Sequence, residues 1–281
     1  MLDILKAIIF GIVEGITEWL PISSTGHLIL LEEFIKFENV SENFFSMFEV
    51  VIQLGAILAV VVLFIRQIWP FCKKGHGFKK SGPLAYVNMD IMTLWFKILV
   101  ACVPAAVIGL LFDDELDALF YHWYVVAVAL IIFGVAFILV ENWNKGKNPK
   151  VTDLSALTYK AALIIGVFQL IAAVFPGTSR SGATIVGALL IGISRSVAAE
   201  FTFFLAIPVM FGASLLKVVK FGFDFSGTEL AALFVAMAVA FVVSVVVIKF
   251  LLSYIKKHDF KVFGWYRIIL GVIVILYFML R

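Results

Sequence analysis

The chain has 281 residues, 63% of them hydrophobic and only 15% charged, with a formal net charge of +3 and a mean hydropathy of +1.10. A soluble domain carries roughly 45 to 50% apolar residues, so a water-soluble fold is excluded and a polytopic membrane protein is expected. Two cysteines, Cys72 in a basic stretch and Cys102 in an apolar one, exclude a disulfide or metal-binding cysteine framework.

The N-terminal stretch is apolar but interrupted by Asp3, Glu14 and Glu18. No small-residue cleavage site follows, so it is expected to belong to the mature fold rather than to a cleaved signal. Within it, Gly11-Ile-Val-Glu-Gly-Ile-Thr-Glu-Trp-Leu-Pro-Ile-Ser-Ser-Thr-Gly-His27 reads as a helix that breaks at Pro21 and enters a hydroxyl-rich turn. Glu14 and Glu18 share a helix face at a spacing where like charges repel, and each charge in lipid is costly. A divalent cation, a shared proton or a guanidinium is expected to compensate them; the bland alternative is that they cap backbone or face water at the membrane edge. Ser23, Ser24 and Thr25 offer hydroxyls where a new helix starts at about Leu28, which is an anion-binding geometry. His27 follows directly, and while a lone histidine is ordinarily a satisfied core residue, these neighbours make it a candidate acid, base or nucleophile.

Full spans of about 20 apolar residues, enough to cross a core of about 30 Å, are expected near 48–65, 91–112 and 123–141. Glu49 and Gln53 lie on the first of these at helical spacing and are expected to face the site, either as groups supporting its ligands or as ligands on the metal side. Residues 142–153 read as a connector. The next segment, Gly166-Val-Phe-Gln-Leu-Ile-Ala-Ala-Val-Phe-Pro-Gly-Thr-Ser-Arg-Ser-Gly182, echoes the first 155 positions later, with Gly11 on Gly166, Glu14 on Gln169, Pro21 on Pro176 and Ser24 on Ser179. Its turn places Arg180 among Ser179, Ser181 and Thr184, which matches a phosphate in charge and in forked hydrogen bonding. It is not a Walker loop, since no lysine follows the glycine; a structural ion pair between Arg180 and Glu14 or Glu18 is the plain alternative. Three further spans are expected near 198–218, 229–252 and 262–280, with Arg195 and Glu200 a weaker pair at the start of the first. Six tryptophans are expected mostly at the interfaces.

Lys and Arg collect in three loops, 66–80, 142–160 and 249–261, whereas Asp113, Asp114, Glu115 and Asp117 mark an opposite, outer connection. Basic loops stay cytoplasmic, so segment 3–36 must begin and end outside and segment 158–192 must begin and end inside. Each therefore reads as a re-entrant helix-turn-helix that dips and returns. The fold expected is all-α: one integral membrane domain over 1–281, with six transmembrane helices and two re-entrant segments, in inverted-topology halves of about 1–141 and 158–281. In such folds broken helices meet near the midplane.

Glu14-Gly-Ile-Thr-Glu18, Pro-Ile-Ser-Ser-Thr-Gly-His27 and Pro-Gly-Thr-Ser-Arg-Ser-Gly-Ala-Thr184 resemble the signature motifs of the undecaprenyl-diphosphatase family, the bacitracin-resistance membrane phosphatases. The resemblance covers essentially the whole chain, including Phe-Glu-Val-Val-Ile-Gln-Leu-Gly around Glu49. It implies hydrolysis of undecaprenyl diphosphate to the monophosphate and inorganic phosphate, recycling the carrier for peptidoglycan synthesis in the bacterial plasma membrane. The residues then fall into roles. Arg180, Ser179 and Ser181, with Ser23, Ser24, Thr25 and Thr184, are expected to hold phosphate. Glu14 and Glu18 are expected to hold Mg²⁺ or Ca²⁺, and Ser24, His27 or a water to attack, in a pocket open to the extracytoplasmic side. The expected partners are a polyprenyl diphosphate lipid and the bilayer, with no nucleic acid; a homodimer is compatible with the sequence. Two alternatives stand beside the enzyme: a lipid-phosphate transporter or flippase built on the same repeat, and a non-catalytic lipid-binding scaffold.

Overall fold

Backbone in hydrocarbon must satisfy its own hydrogen bonds, which leaves helices as the way for an apolar chain of this kind to cross a membrane. The computed structural model describes residues 2–41, 43–71 and 86–280, and there the chain is helical with no sheet beyond two isolated bridges. In order, the helices are α1 (Leu2–Thr17), α2 (Ser24–Phe34), α3 (Phe44–Val51), α4 (Gln53–Ile68), α5 (Met89–Phe120) and α6 (Trp123–Asn144), followed by α7 (Tyr159–Val174), α8 (Arg180–Leu190), α9 (Arg195–Phe221), α10 (Gly227–Ile255) and α11 (Lys261–Leu280).

Six segments are long and apolar enough to span: Phe44–Ile68, Met89–Phe112, Trp123–Asn144, Arg195–Phe221, Gly227–Ile255 and Lys261–Leu280. These are the six expected spans, longer by one residue in the last and by up to seven in the first. The first joins α3 and α4 across Ile52. Two details differ from the sequence reading. The acidic stretch 113–117 is not a loop, because α5 continues to Phe120 past a non-helical Phe112. The helix after the first turn starts at Ser24, four residues before Leu28, because Ser23 caps it. Most of the basic stretch 66–80, with Cys72 and His76, lies outside the described residues.

The pairs α1–α2 and α7–α8 are short. Helices of 16 and 11 residues reach about 24 and 16 Å at 1.5 Å per residue, less than a hydrocarbon core of about 30 Å. Each pair packs on a span remote in the chain or separated from it by another span: α1 lies chiefly on α10 and α7 chiefly on α5, while α6 lies on α11. Glycine makes these crossings possible, since a missing side chain lets backbones touch. A Cβ on Gly11 would stand 2.6 Å from the Ala236 carbonyl oxygen, and one on Gly166 2.4 Å from that of Ala101. Gly11 and Gly166 are the first matched pair of the sequence echo, so the echo there has a packing cause. On the α6–α11 pair, a Cβ on either Gly134 or Gly264 would stand 2.7 Å from the other's carbonyl oxygen.

Two side chains lie elsewhere than expected. Trp19, expected with most tryptophans near an interface, is wholly buried within the protein, edge-on to Phe203 at 5.3 Å. Arg195 does not pair with Glu200; it grips Glu141 of α6 through Nε at 2.9 Å and Nη2 at 2.5 Å, and the same carboxylate accepts the Phe260 amide at 3.0 Å. That contact ties the ends of α6, α9 and α11 at the face carrying the basic connectors.

Replacing Gly166 with alanine is expected to lower stability by about 1 to 3 kcal/mol through overpacking against α5, read as a drop in the thermal midpoint of the detergent-purified protein. Gly109→Ala, where a Cβ would meet nothing within 4 Å, is the control. It is expected to be neutral or stabilising by about 0.5 to 1 kcal/mol, the helix-propensity difference.

Candidate active site

The two turns are built alike. Ser23 has φ 76° and Ser179 φ 68°, in a region that non-glycine residues rarely occupy. Each caps the helix that follows, the Ser23 hydroxyl accepting the Gly26 amide at 3.2 Å and the Ser179 hydroxyl the Gly182 amide at 3.1 Å. Backbone strain held at two matching caps is a mark of a functional site. The caps stand 156 positions apart, so the echo shifts by one residue inside the turn, and Arg180 occupies the place of Ser24 rather than of Thr25.

That one-residue shift explains the centre of the site. Glu18 receives Arg180 Nη2 on Oε1 at 2.9 Å and Ser24 Oγ on Oε2 at 2.8 Å, so both first helical residues converge on one carboxylate. The Ser181 hydroxyl donates to the Glu18 carbonyl at 3.2 Å and lies 3.1 Å from the Ser179 hydroxyl. Behind Arg180, Nη1 reaches the Thr202 carbonyl at 2.8 Å, and Thr184 joins the Arg180 carbonyl and the Thr202 hydroxyl at 2.9 and 2.8 Å. Arg180 is thus held by α9 on one side and engages Glu18 on the other. Of the expected residues, Glu18, Ser24, Ser179, Arg180, Ser181 and Thr184 form this one cluster.

Glu14 lies one turn before Glu18, wholly buried, and among the described residues neither of its oxygens has a hydrogen-bond partner. Its counterpart Gln169 is buried too and donates to the Ala101 carbonyl at 3.5 Å. A buried, unpartnered carboxyl group requires a proton or a cation.

His27 is placed differently from the serines. Nδ1 lies 2.7 Å from the Ser23 carbonyl, which can only accept, so the neutral ring keeps its proton there; Nε2 takes the Tyr266 hydroxyl at 2.7 Å, the two rings being nearly parallel with centroids 5.6 Å apart. Both ring nitrogens are therefore engaged away from the Glu18 cluster.

A cavity of about 910 Å³ adjoins the turns, with Thr25, Glu49, Gln53 and Pro176 in its wall. Glu49 and Gln53 both line this space, whose wall includes none of the Glu18 cluster, and Glu49 accepts the Tyr121 hydroxyl at 2.9 Å. Apolar groups such as Leu28, Phe37, Phe45 and Leu216 complete it. An elongated lipid with a polar head fits such a mixed lining.

Two residues of α11 were not anticipated. Tyr266 meets His27, and Arg267, wholly buried, donates to carbonyls of both turns: Pro21 at 3.3 Å, Gly177 at 3.0 Å and Thr178 at 2.5 Å. The available signal was an arginine inside the expected last span, where an ionisable group marks function by default.

The sequence profile of a family described as bacitracin resistance protein BacA matches residues 7–273. A protein named undecaprenyl-diphosphatase from Desulfitobacterium hafniense is 64% identical over 281 residues, covering 100% of this chain and 98% of that protein. Another, undecaprenyl-diphosphatase 1 from Clostridium acetobutylicum, is 61% identical over 99% of this chain and 98% of its own length. An undecaprenyl-diphosphatase from Enterococcus faecalis is 60% identical over 98% of this chain and 97% of its own.

The ion pair can be tested through stability. Arg180→Met leaves Glu18 buried beside an unpartnered Glu14 and is expected to destabilise by about 3 to 5 kcal/mol. The double variant Glu18→Gln/Arg180→Met removes both charges and is expected to recover part of that loss, measured by thermal unfolding in detergent. A double variant as unstable as the sum of its singles would contradict the pairing.

Proposed function

We propose that this chain, which belongs to the bacitracin resistance protein BacA family, is a membrane phosphatase that hydrolyses undecaprenyl diphosphate to undecaprenyl phosphate and inorganic phosphate. It thereby recycles the lipid carrier of peptidoglycan synthesis and confers bacitracin resistance, from a bacterial plasma membrane. The observation that carries this reading is the convergence of Arg180 and Ser24 on Glu18. A cation that can bind phosphate and a hydroxyl that can attack each stand within hydrogen-bond reach of one carboxylate that can take the hydroxyl's proton, as nucleophilic chemistry requires.

The diphosphate head would draw the Arg180 guanidinium into a forked contact, releasing Glu18 Oε1 from the ion pair. Ser24 Oγ would then attack the terminal phosphorus while its proton passes to Glu18, and undecaprenyl phosphate leaves. Water completes the cycle by hydrolysing the phosphoserine. Ser179 and Ser181, with the amides opening α2 and α8, would stabilise the phosphoryl oxygens, which is most of what phosphoryl transfer asks of a protein. The engagement of both His27 nitrogens elsewhere favours Ser24 as the attacking group, with His27 holding the first turn.

The residues fit a divalent cation. Glu14 offers a buried carboxylate with no partner of its own, and Glu18 has lone pairs beyond the two it uses. Among the described residues no group of three His, Cys, Asp or Glu is arranged to hold a metal. The protein would thus contribute two carboxylates and leave the remaining positions to substrate oxygens and water, the usual arrangement for Mg²⁺. Bound there, the cation would neutralise phosphate charge.

Two further elements belong to this reading. The halves form an inverted repeat, supported by the exchanged packing of α1 on α10 and α7 on α5. The cavity opens to the extracytoplasmic side, a reading supported by Lys36, Ser41 and Asn43 and by Tyr121 and His122 in its wall, which lie in or beside connections the charge pattern assigns outside. The chemistry is complete within one chain, so a homodimer is not required by it.

Full-length protein in detergent micelles, which have no leaflets, is expected to release phosphate from undecaprenyl diphosphate. Chelation should abolish release and Mg²⁺ or Ca²⁺ restore it. Lipid transfer between the leaflets of vesicles without phosphate release in micelles would make the protein a transporter instead. Ser24→Ala and Arg180→Ala are each expected to lower kcat at least about 10²-fold. Acid quenching during turnover is expected to trap an acid-stable phosphate on Ser24; an acid-labile adduct on His27 would reassign the nucleophile.

A further inference from the structure

Arg267 has no role in the chemistry described so far, yet its burial is complete. Among the described residues no carboxylate meets it: its two Nη groups donate to three backbone carbonyls, Nε has no hydrogen-bond partner, and the Phe133 ring lies 5.8 Å from its Cζ. Burying a guanidinium without a counter-ion is expensive, so its acceptors matter. Pro21 lies in the first turn, three residues before Ser24. Gly177 and Thr178 lie in the second, directly before Ser179 and Arg180. Their carbonyls sit where the chain turns, outside the helical ladder. One planar fork reaches both turns at once, which a single ammonium could not do.

The fork itself is held firmly. Gly264 and Gly271, three residues before and four after Arg267, share its face of α11; a Cβ on either would stand 2.7 or 2.8 Å from α6. The second turn rests on the same platform, since a Cβ on Gly177 would lie 2.6 Å from the Val126 carbonyl oxygen of α6. On its other side the guanidinium abuts the first turn of α8, where a Cβ on Gly182 would stand 2.5 Å from Nη1.

We propose that Arg267 is the positioning residue of this phosphatase site: it joins the two turns in one register on the α6–α11 platform and so sets where Ser24 and Arg180 stand relative to Glu18. The proposal rests on the hydrolase reading above. Its consequence is that Arg267 acts on turnover through the placement of Arg180 and Ser24, not through contact with substrate.

The test is a double-mutant cycle on phosphate release from undecaprenyl diphosphate by the full-length protein in detergent. Arg267→Lys keeps the charge and loses the fork; kcat is expected to fall about 10²-fold, as a displacement of about 1 Å suffices for such a loss, with KM changed by less than about threefold. In an Arg180→Lys background the same change is expected to lower kcat by less than about threefold, because residues acting as one unit are not additive. Arg267→Gln is the second variant, with the same expectation, and the thermal midpoint of each is expected to stay within about 3 °C of the parent. Parental kcat in Arg267→Lys, losses that multiply in the double variant, or inactivity that appears only with unfolding would each overturn the proposal. A parent protein that releases no phosphate would instead overturn the hydrolase reading.

Discussion

Everything at the centre of this protein depends on the contact between Glu18 and Arg180. Neither charge could stand alone in an apolar interior, and the two come from turns more than 150 positions apart in the chain. Their 2.9 Å separation therefore obliges the two short helix pairs to meet, and the rest of the architecture can be read as what makes that meeting possible. Glycines let α1 sink onto α10 and α7 onto α5. The caps at Ser23 and Ser179 accept unfavourable dihedrals to turn the following helices toward the same point. Arg267 then binds the carbonyls that those turns leave exposed.

In the mechanism proposed above, the same contact would couple binding to chemistry: a guanidinium turning from Glu18 to a phosphate would leave free the carboxylate that is hydrogen-bonded to the Ser24 hydroxyl. Substrate binding and activation of the attacking oxygen would then be one event rather than two. Glu14 adds a second buried carboxyl group, without a hydrogen-bond partner among the described residues, that only a cation or a proton can satisfy. The adjoining cavity, part apolar and part polar, suits a molecule with a hydrocarbon tail and an anionic head.

Much of this was legible in the sequence, for identifiable reasons. Length and hydropathy alone locate a membrane span, so the six spans follow from runs of apolar residues and differ from the observed helices only at their ends. Charged and hydroxyl side chains are rare in lipid, so Glu14, Glu18, Ser24 and Arg180 stood out as a group and the cluster around Glu18 contains most of them. The echo between Gly11 and Gly166 was visible because close helix crossings tolerate almost no residue but glycine. Other features were hidden. The shift from 155 to 156 positions inside the turn cannot be seen in matched letters, because it is set by which serine adopts the positive φ. The partner of Arg195 was hidden as well, because the fold supplies Glu141 from another helix.

The sequence by itself determined that the chain is helical, embedded in a membrane and broken twice at proline-containing, hydroxyl-rich turns, since hydropathy, helix breaking and the expense of buried charge are local properties. Only the tertiary structure decided which groups pair. Glu18 rather than Glu14 meets Arg180, His27 turns to Tyr266, and Arg267 reaches across both turns from the last helix. Those outcomes depend on how helices are rotated and how closely they approach, which is fixed by contacts between residues far apart in the chain and by no property of either partner alone.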